Sequence, residues 1–93
     1  MKTLSLTVLG QVQGVGFRYF TQVTAEKYML AGWVKNNDDG SVSIMVSGDE
    51  KILEYFYQEI EAGNQYGYVS QVKREERPYQ AYENFEILLD RYF

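Results

Sequence analysis

The chain contains no cysteine and no histidine. The first absence excludes a disulfide framework and removes the most reactive side-chain nucleophile; the second removes the usual proton shuttle near neutral pH. Nothing in what remains resembles a Cys/His metal cluster, and neither a metal nor a cofactor is expected. Long apolar runs are missing too. The longest are far too short to span a bilayer, and Met1-Lys2-Thr3 leads straight into an alternating pattern without a signal-peptide core, so a cytoplasmic protein with no membrane partner is expected. Positive charge is in short supply: nine basic residues face thirteen acidic ones, a formal net charge of −4, which argues against non-specific nucleic-acid binding. No linker or low-complexity segment divides the 93 residues, 45% of them hydrophobic. A single monomeric domain over 1–93 with one modest core is the expectation.

What the sequence does have is a loop, Gly10-Gln11-Val12-Gln13-Gly14-Val15-Gly16-Phe17-Arg18, set between an alternating pattern and a helical one. Glycines permit the positive φ angles and close backbone approach that let successive N–H groups converge on one point. The following helix adds its unpaired first-turn amides and the positive end of its dipole. Arg18 can grip a phosphate through two parallel charge-assisted hydrogen bonds, which lysine cannot reproduce. The loop therefore reads as an anion cradle, against the plainer alternative of a glycine-rich turn with a surface arginine.

Known glycine loops do not fit. A P-loop ends in Gly-Lys-Ser/Thr, absent here, and the spacing G-x-x-x-G-x-G differs from the dinucleotide fingerprint G-x-G-x-x-G. The RNA-binding RNP1 pattern shares both glycines and two aromatics with Gly14 to Phe20. It fails at Gln13, where a basic residue should lead, at Val15, where an aromatic should stack, and at Arg18, where an aliphatic belongs. The turn Asn36-Asn37-Asp38-Asp39-Gly40 is no calcium loop either, since aligning Gly40 with the EF-hand glycine puts Lys35 at the first ligand position and Val46 at the last.

The coarse order is strand, helix, strand, strand, helix, strand. Leu4, Leu6 and Val8 alternate with polar neighbours as in a half-buried strand. Phe17, Phe20, Thr24, Tyr28 and Ala31 then recur at helical spacing, with Gly32 expected to end the run. Gly32 to Asn36 and Ser41 to Ser47 form a hairpin about the Asn/Asp/Gly turn. Asp49 and Glu50 suit the start of a second helix with an Ile52, Leu53, Phe56, Ile60 stripe, and Gly63 stops it. Val69 to Lys73 or slightly beyond is a fourth strand, and Phe85, Ile87 and Leu89 mark a further segment. This is the pattern of an α+β fold, a ferredoxin-like βαββαβ sandwich with an antiparallel sheet and two helices on one face. Fold alone does not assign function.

A second motif, Gly32-Trp33-Val34-Lys35-Asn36 followed by Gly40-Ser41-Val42 and Gly48, is more specific. With Val8 to Arg18 it resembles both signature segments of the acylphosphatase family, over residues 8 to 48; beyond them the likeness is one of length and pattern. The resemblance implies a small metal-free hydrolase that cleaves the mixed anhydride between a carboxylate and a phosphate, with inorganic phosphate as product. It implies that Arg18 and the loop residues Gln13, Gly14, Val15, Gly16 and Phe17 bind the phosphoryl oxygens, and that Asn36 holds the attacking water.

Residue chemistry agrees. An acyl phosphate expels a carboxylate, which leaves without protonation, so a chain lacking histidine and cysteine can do the work by positioning and electrostatics. Asn36 offers an acceptor and donors without setting negative charge beside an anionic substrate. A substrate phosphate oxygen can take the water's proton, and no covalent intermediate is expected. Asn37, Asp38 and Asp39 read as turn residues, Trp33 as packing, and Lys35 as either extra positive potential near the phosphate or an exposed strand side chain. Two departures stand out: Gln11 replaces an arginine found in many family members, and Gly63-Asn64-Gln65-Tyr66-Gly67-Tyr68 lacks the proline often found after the second helix. A non-catalytic phosphate sensor and an RNA-binding module are the alternatives; the first needs only the cradle, and the second is disfavoured by charge.

Overall fold

In the computed structural model, residues 1–89 are described; the aromatic tail Asp90-Arg91-Tyr92-Phe93 lies outside them. Among the described residues the order is β1 (Lys2–Gln11), α1 (Phe17–Lys27), β2 (Ala31–Asn36), β3 (Val42–Gly48), α2 (Glu50–Ala62), β4 (Tyr68–Arg77) and β5 (Phe85–Leu88). The strands form one sheet in the order β4-β1-β3-β2-β5. Alternation decides its faces. Leu4, Leu6 and Val8 of β1, Val34 of β2, and Val42, Ile44 and Val46 of β3 are all buried, with Phe17 and Ala25 of α1 and Leu53, Phe56 and Ile60 of α2 completing the core above them. The second helix begins as expected, with the Asp49 carboxylate accepting from the Lys51 and Ile52 amides, and ends at Gly63.

The expected all-antiparallel sheet is corrected at one edge. β5 pairs in parallel with β2, from Gly32↔Phe85 to Lys35↔Leu88, so the sheet is mixed. Residues 78–84 carry the chain from the β4 edge to the opposite edge of the sheet, across the face away from the helices, where the Gln80 amide donates to Thr3 Oγ1. The first four strands keep the antiparallel ladder that the periodicity predicts.

A second correction concerns α1, which stops four residues before the expected run ended. Gly32 is a β2 residue, and Ala31 is the first residue of that strand. The helix is closed instead by Met29 at φ 57°, with Met29 N–H donating to the Glu26 carbonyl and Leu30 N–H to the Ala25 carbonyl. That is the pair of reverse bonds usually built on glycine. Met29 is 92% exposed and therefore packs on almost nothing. Met29→Gly is expected to raise stability by about 0.5–1 kcal/mol, because removing Cβ strain in the left-handed region outweighs the added chain entropy. A higher denaturant midpoint at unchanged slope is the expected result, and an unchanged or lower midpoint would contradict it. No helix among the described residues is long and apolar enough to cross a membrane.

Candidate active site

Strand direction gathers the chemistry at one end of the sheet. β1, β2 and β5 run the same way, so the loop after Gln11, the side chain of Asn36 and the Leu88 carbonyl meet beside the start of α1. Parity does the rest. Asn36 shares the helix-side face with buried Val34, whereas Trp33 and Lys35 face the other way. The Lys35 ammonium lies 5.6 Å from the centre of the half-buried Trp33 ring and covers it, and Lys35 is not among the residues lining the pocket described below.

The loop turns into α1 through two glycines in the left-handed region, Gly14 at φ 75° and Gly16 at φ 76°. Open space surrounds both Cα atoms, so it is backbone conformation that demands glycine there. Gly16 is the N-cap of α1 and has no side-chain hydrogen bond capping it, which leaves the first-turn amides for another partner.

Between this loop and the end of β2 lies a pocket of about 230 Å³. That is below the roughly 300–1,000 Å³ of sites for drug-sized ligands, and suits a phosphoryl group with a small substituent better than a nucleotide. Gly14, Gly16, Arg18 and Asn36 supply its polar lining. Val12 and Phe17 lie buried beneath, and Tyr19, Ile87 and Leu89 complete the apolar wall. None of the described lining residues is acidic.

Arg18 is half-buried, and its Nη1 donates to the Leu88 carbonyl oxygen at 3.3 Å, so the end of β5 helps to hold the guanidinium. Asn36 Oδ1 is buried without a hydrogen-bond partner among the described residues. A buried amide oxygen left unpaired is costly, and here its residue lines the same pocket as the arginine.

Gln13 and Val15 are not part of the pocket lining. The Gln13 side chain spends both amide hydrogens on the hairpin, donating to the carbonyls of Asn37 at 2.8 Å and Ser41 at 2.9 Å, which ties the cradle loop to the turn that follows Asn36. Val15 packs against the core, and its carbonyl accepts from Asn64. Any contact of these two with an anion is left to their backbone amides. The turn itself is braced by Asn37, which donates to the Ser41 and Ser43 hydroxyls, and by Asp39, which accepts from the Ser41 hydroxyl and amide. Those two bonds, the hydroxyl's first, hold the Asp39 carboxyl below its ordinary range. Among the described residues no three His, Cys, Asp or Glu side chains come together as a metal site.

An α+β sandwich that sets an arginine and uncapped helix amides opposite an unpaired amide oxygen defines a class, the small phosphoryl-binding domain. Comparison with known proteins makes the class specific. The sequence profile of acylphosphatase matches residues 4–87. The acylphosphatase of Geobacillus kaustophilus is 51% identical over 77 residues, spanning 83% of this chain and 82% of that one. That of Bacillus subtilis is 43% identical over 84 residues, spanning 89% and 92%. The crystal structure of acylphosphatase from Bacillus subtilis superposes with a TM-score of 0.92 at 41% identity, covering 96% of this chain and all of that one. The chain belongs to the acylphosphatase family, and it is a hydrolase of acyl phosphates.

Proposed function

We propose that the loop Gln13 to Arg18 and the Arg18 guanidinium hold the phosphoryl group of the acyl phosphate, and that Asn36 holds the water that attacks it. The observation that carries this reading is Asn36, whose Oδ1 is buried without a partner among the described residues, lining the same pocket as Arg18. An acceptor in that position takes one hydrogen of a water and aims an oxygen lone pair at phosphorus, at no cost in negative charge.

In the reaction the water oxygen forms a bond to phosphorus while the bond from phosphorus to the carboxylate oxygen breaks, and the carboxylate leaves with the electron pair. One water proton passes to a phosphoryl oxygen, so the products are a carboxylate and dihydrogen phosphate, balanced without an enzyme base. Arg18 and the loop amides are aimed at oxygens that are charged throughout the transfer, and preorganised donors of this kind supply most of the catalysis in phosphoryl transfer. The same reading takes the protein as a cytoplasmic, single-domain monomer working without metal or cofactor on a small molecule. The net charge of −4 supports the absence of a nucleic-acid partner.

Turnover in ¹⁸O-water tests the direction of attack. Label is expected in the released phosphate and not in the carboxylate. Label in the carboxylate would place attack at the carbonyl carbon and remove the role given to Asn36.

A further inference from the structure

Asn64 stands outside the pocket, in the connection between α2 and β4, yet it touches the cradle from behind. Its Nδ2 donates to the Val15 carbonyl oxygen at 2.8 Å, across 49 residues of sequence. The chain has no cis peptide bond among the described residues. In a trans peptide the carbonyl and the following N–H lie in one plane and point in opposite directions. A bond that draws the Val15 carbonyl toward the α2–β4 connection therefore turns the Gly16 N–H away from it.

That plane needs holding. Glycines at positions 14 and 16 flank Val15, and glycine backbone rotates at little steric cost. A flip of the Val15–Gly16 peptide would replace an N–H by a carbonyl oxygen, whose partial charge repels an anion. We propose that Asn64 is a positioning residue of the active site, clamping this peptide so that the Gly16 N–H is presented to the substrate phosphoryl group; the proposal rests on the reading of the loop as the phosphate cradle.

Two further observations fit a clamp better than a stability device. Asn64 Oδ1 is buried without a partner among the described residues, so the bond to Val15 is made while an acceptor is left orphaned, a poor exchange for folding alone. Gly67 gives the amide its room. A Cβ at that position would stand 2.7 Å from Asn64 Oδ1, 2.7 Å from the Gln11 carbonyl oxygen and 3.0 Å from Val15 Cγ2. The close approach of the α2–β4 connection to the cradle thus depends on a missing side chain.

The test titrates inorganic phosphate into the ¹⁵N-labelled full chain, parent and variants, at a temperature where melting curves show each folded. In the parent, the Gly16 amide resonance is expected to move on binding. Asn64→Ala is expected to weaken phosphate on the order of tenfold, to shrink the Gly16 response at saturation, and to raise KM for an acyl phosphate more than it lowers kcat. Asn64→Asp, of the same size, sets a carboxylate oxygen against the Val15 carbonyl and is expected to weaken phosphate further; it carries the comparison alone if Asn64→Ala loses the fold. A normal Gly16 response in the parent with unchanged phosphate affinity in the folded variants overturns the clamp and leaves the cradle standing. No response at Gly16 in the parent overturns both.

Discussion

Asn36→Ala lowers kcat for acyl phosphate hydrolysis by on the order of 10² to 10³ while phosphate binds as in the parent. The expectation follows from geometry. Asn36 is the last residue of β2, paired with Val42 across the hairpin, and the braced turn beyond it fixes the strand end. Its Oδ1 has no partner among the described residues. An acceptor that serves only the attacking water contributes when the water is aligned for attack, so its loss appears in kcat and spares KM. Asn36→Asp separates charge from shape: it keeps an acceptor but repels the phosphate, so KM rises as well. Steady-state kinetics with a phosphate inhibition constant for each variant decides the matter. A raised phosphate inhibition constant in Asn36→Ala, with kcat intact, would make Asn36 a phosphate ligand instead.

Arg18→Ala is expected to lose both binding and turnover, with phosphate affinity falling by on the order of 10² or more. The guanidinium sits in the first turn of α1, half-buried, beside the two cradle glycines and anchored by the Leu88 carbonyl. In the proposed cradle, cation, helix dipole and first-turn amides would all act on the same phosphoryl oxygens, in the ground state and the transition state alike. Arg18→Lys keeps the charge and discards the planar fork, so it should recover only part of the affinity. Calorimetry with inorganic phosphate reads this directly. Near-normal phosphate affinity in Arg18→Ala would contradict the cradle assignment.

Local pattern made much of this protein legible. Period-two alternation in β1 and β3 fixed which side chains enter the core, and the Gly-rich loop announced its own positive φ angles at Gly14 and Gly16. Parity along β2 then puts Asn36 and Val34 on the helix side, away from Lys35. What stayed hidden depends on contacts between distant segments. Nothing near Gln13 in sequence says that its side chain will close on the carbonyls of Asn37 and Ser41, and nothing near Arg18 points to Leu88. The parallel pairing of β5 arises from a crossover that ordinary periodicity does not encode. Met29 closes α1 in a strained conformation usually taken by glycine, so the periodicity, which runs on to Gly32, does not mark the helix end. For Asn64 one signal is present: a polar residue and a glycine three positions apart, in a segment that lacks the proline often found in the family after the second helix.

Phosphate release from an aryl acyl phosphate in the presence of chelator, with parent and Asn36→Ala compared and a phosphate monoester as control, is the most direct test of metal-free water attack at a preorganised cradle. The account predicts rapid, chelator-resistant cleavage of the anhydride, a collapse of that rate in the variant, and no cleavage of the ester, whose alkoxide would need a general acid, while no carboxyl group is among the described lining residues of the pocket. Turnover abolished by chelator, or an Asn36→Ala rate equal to the parent's, would contradict it.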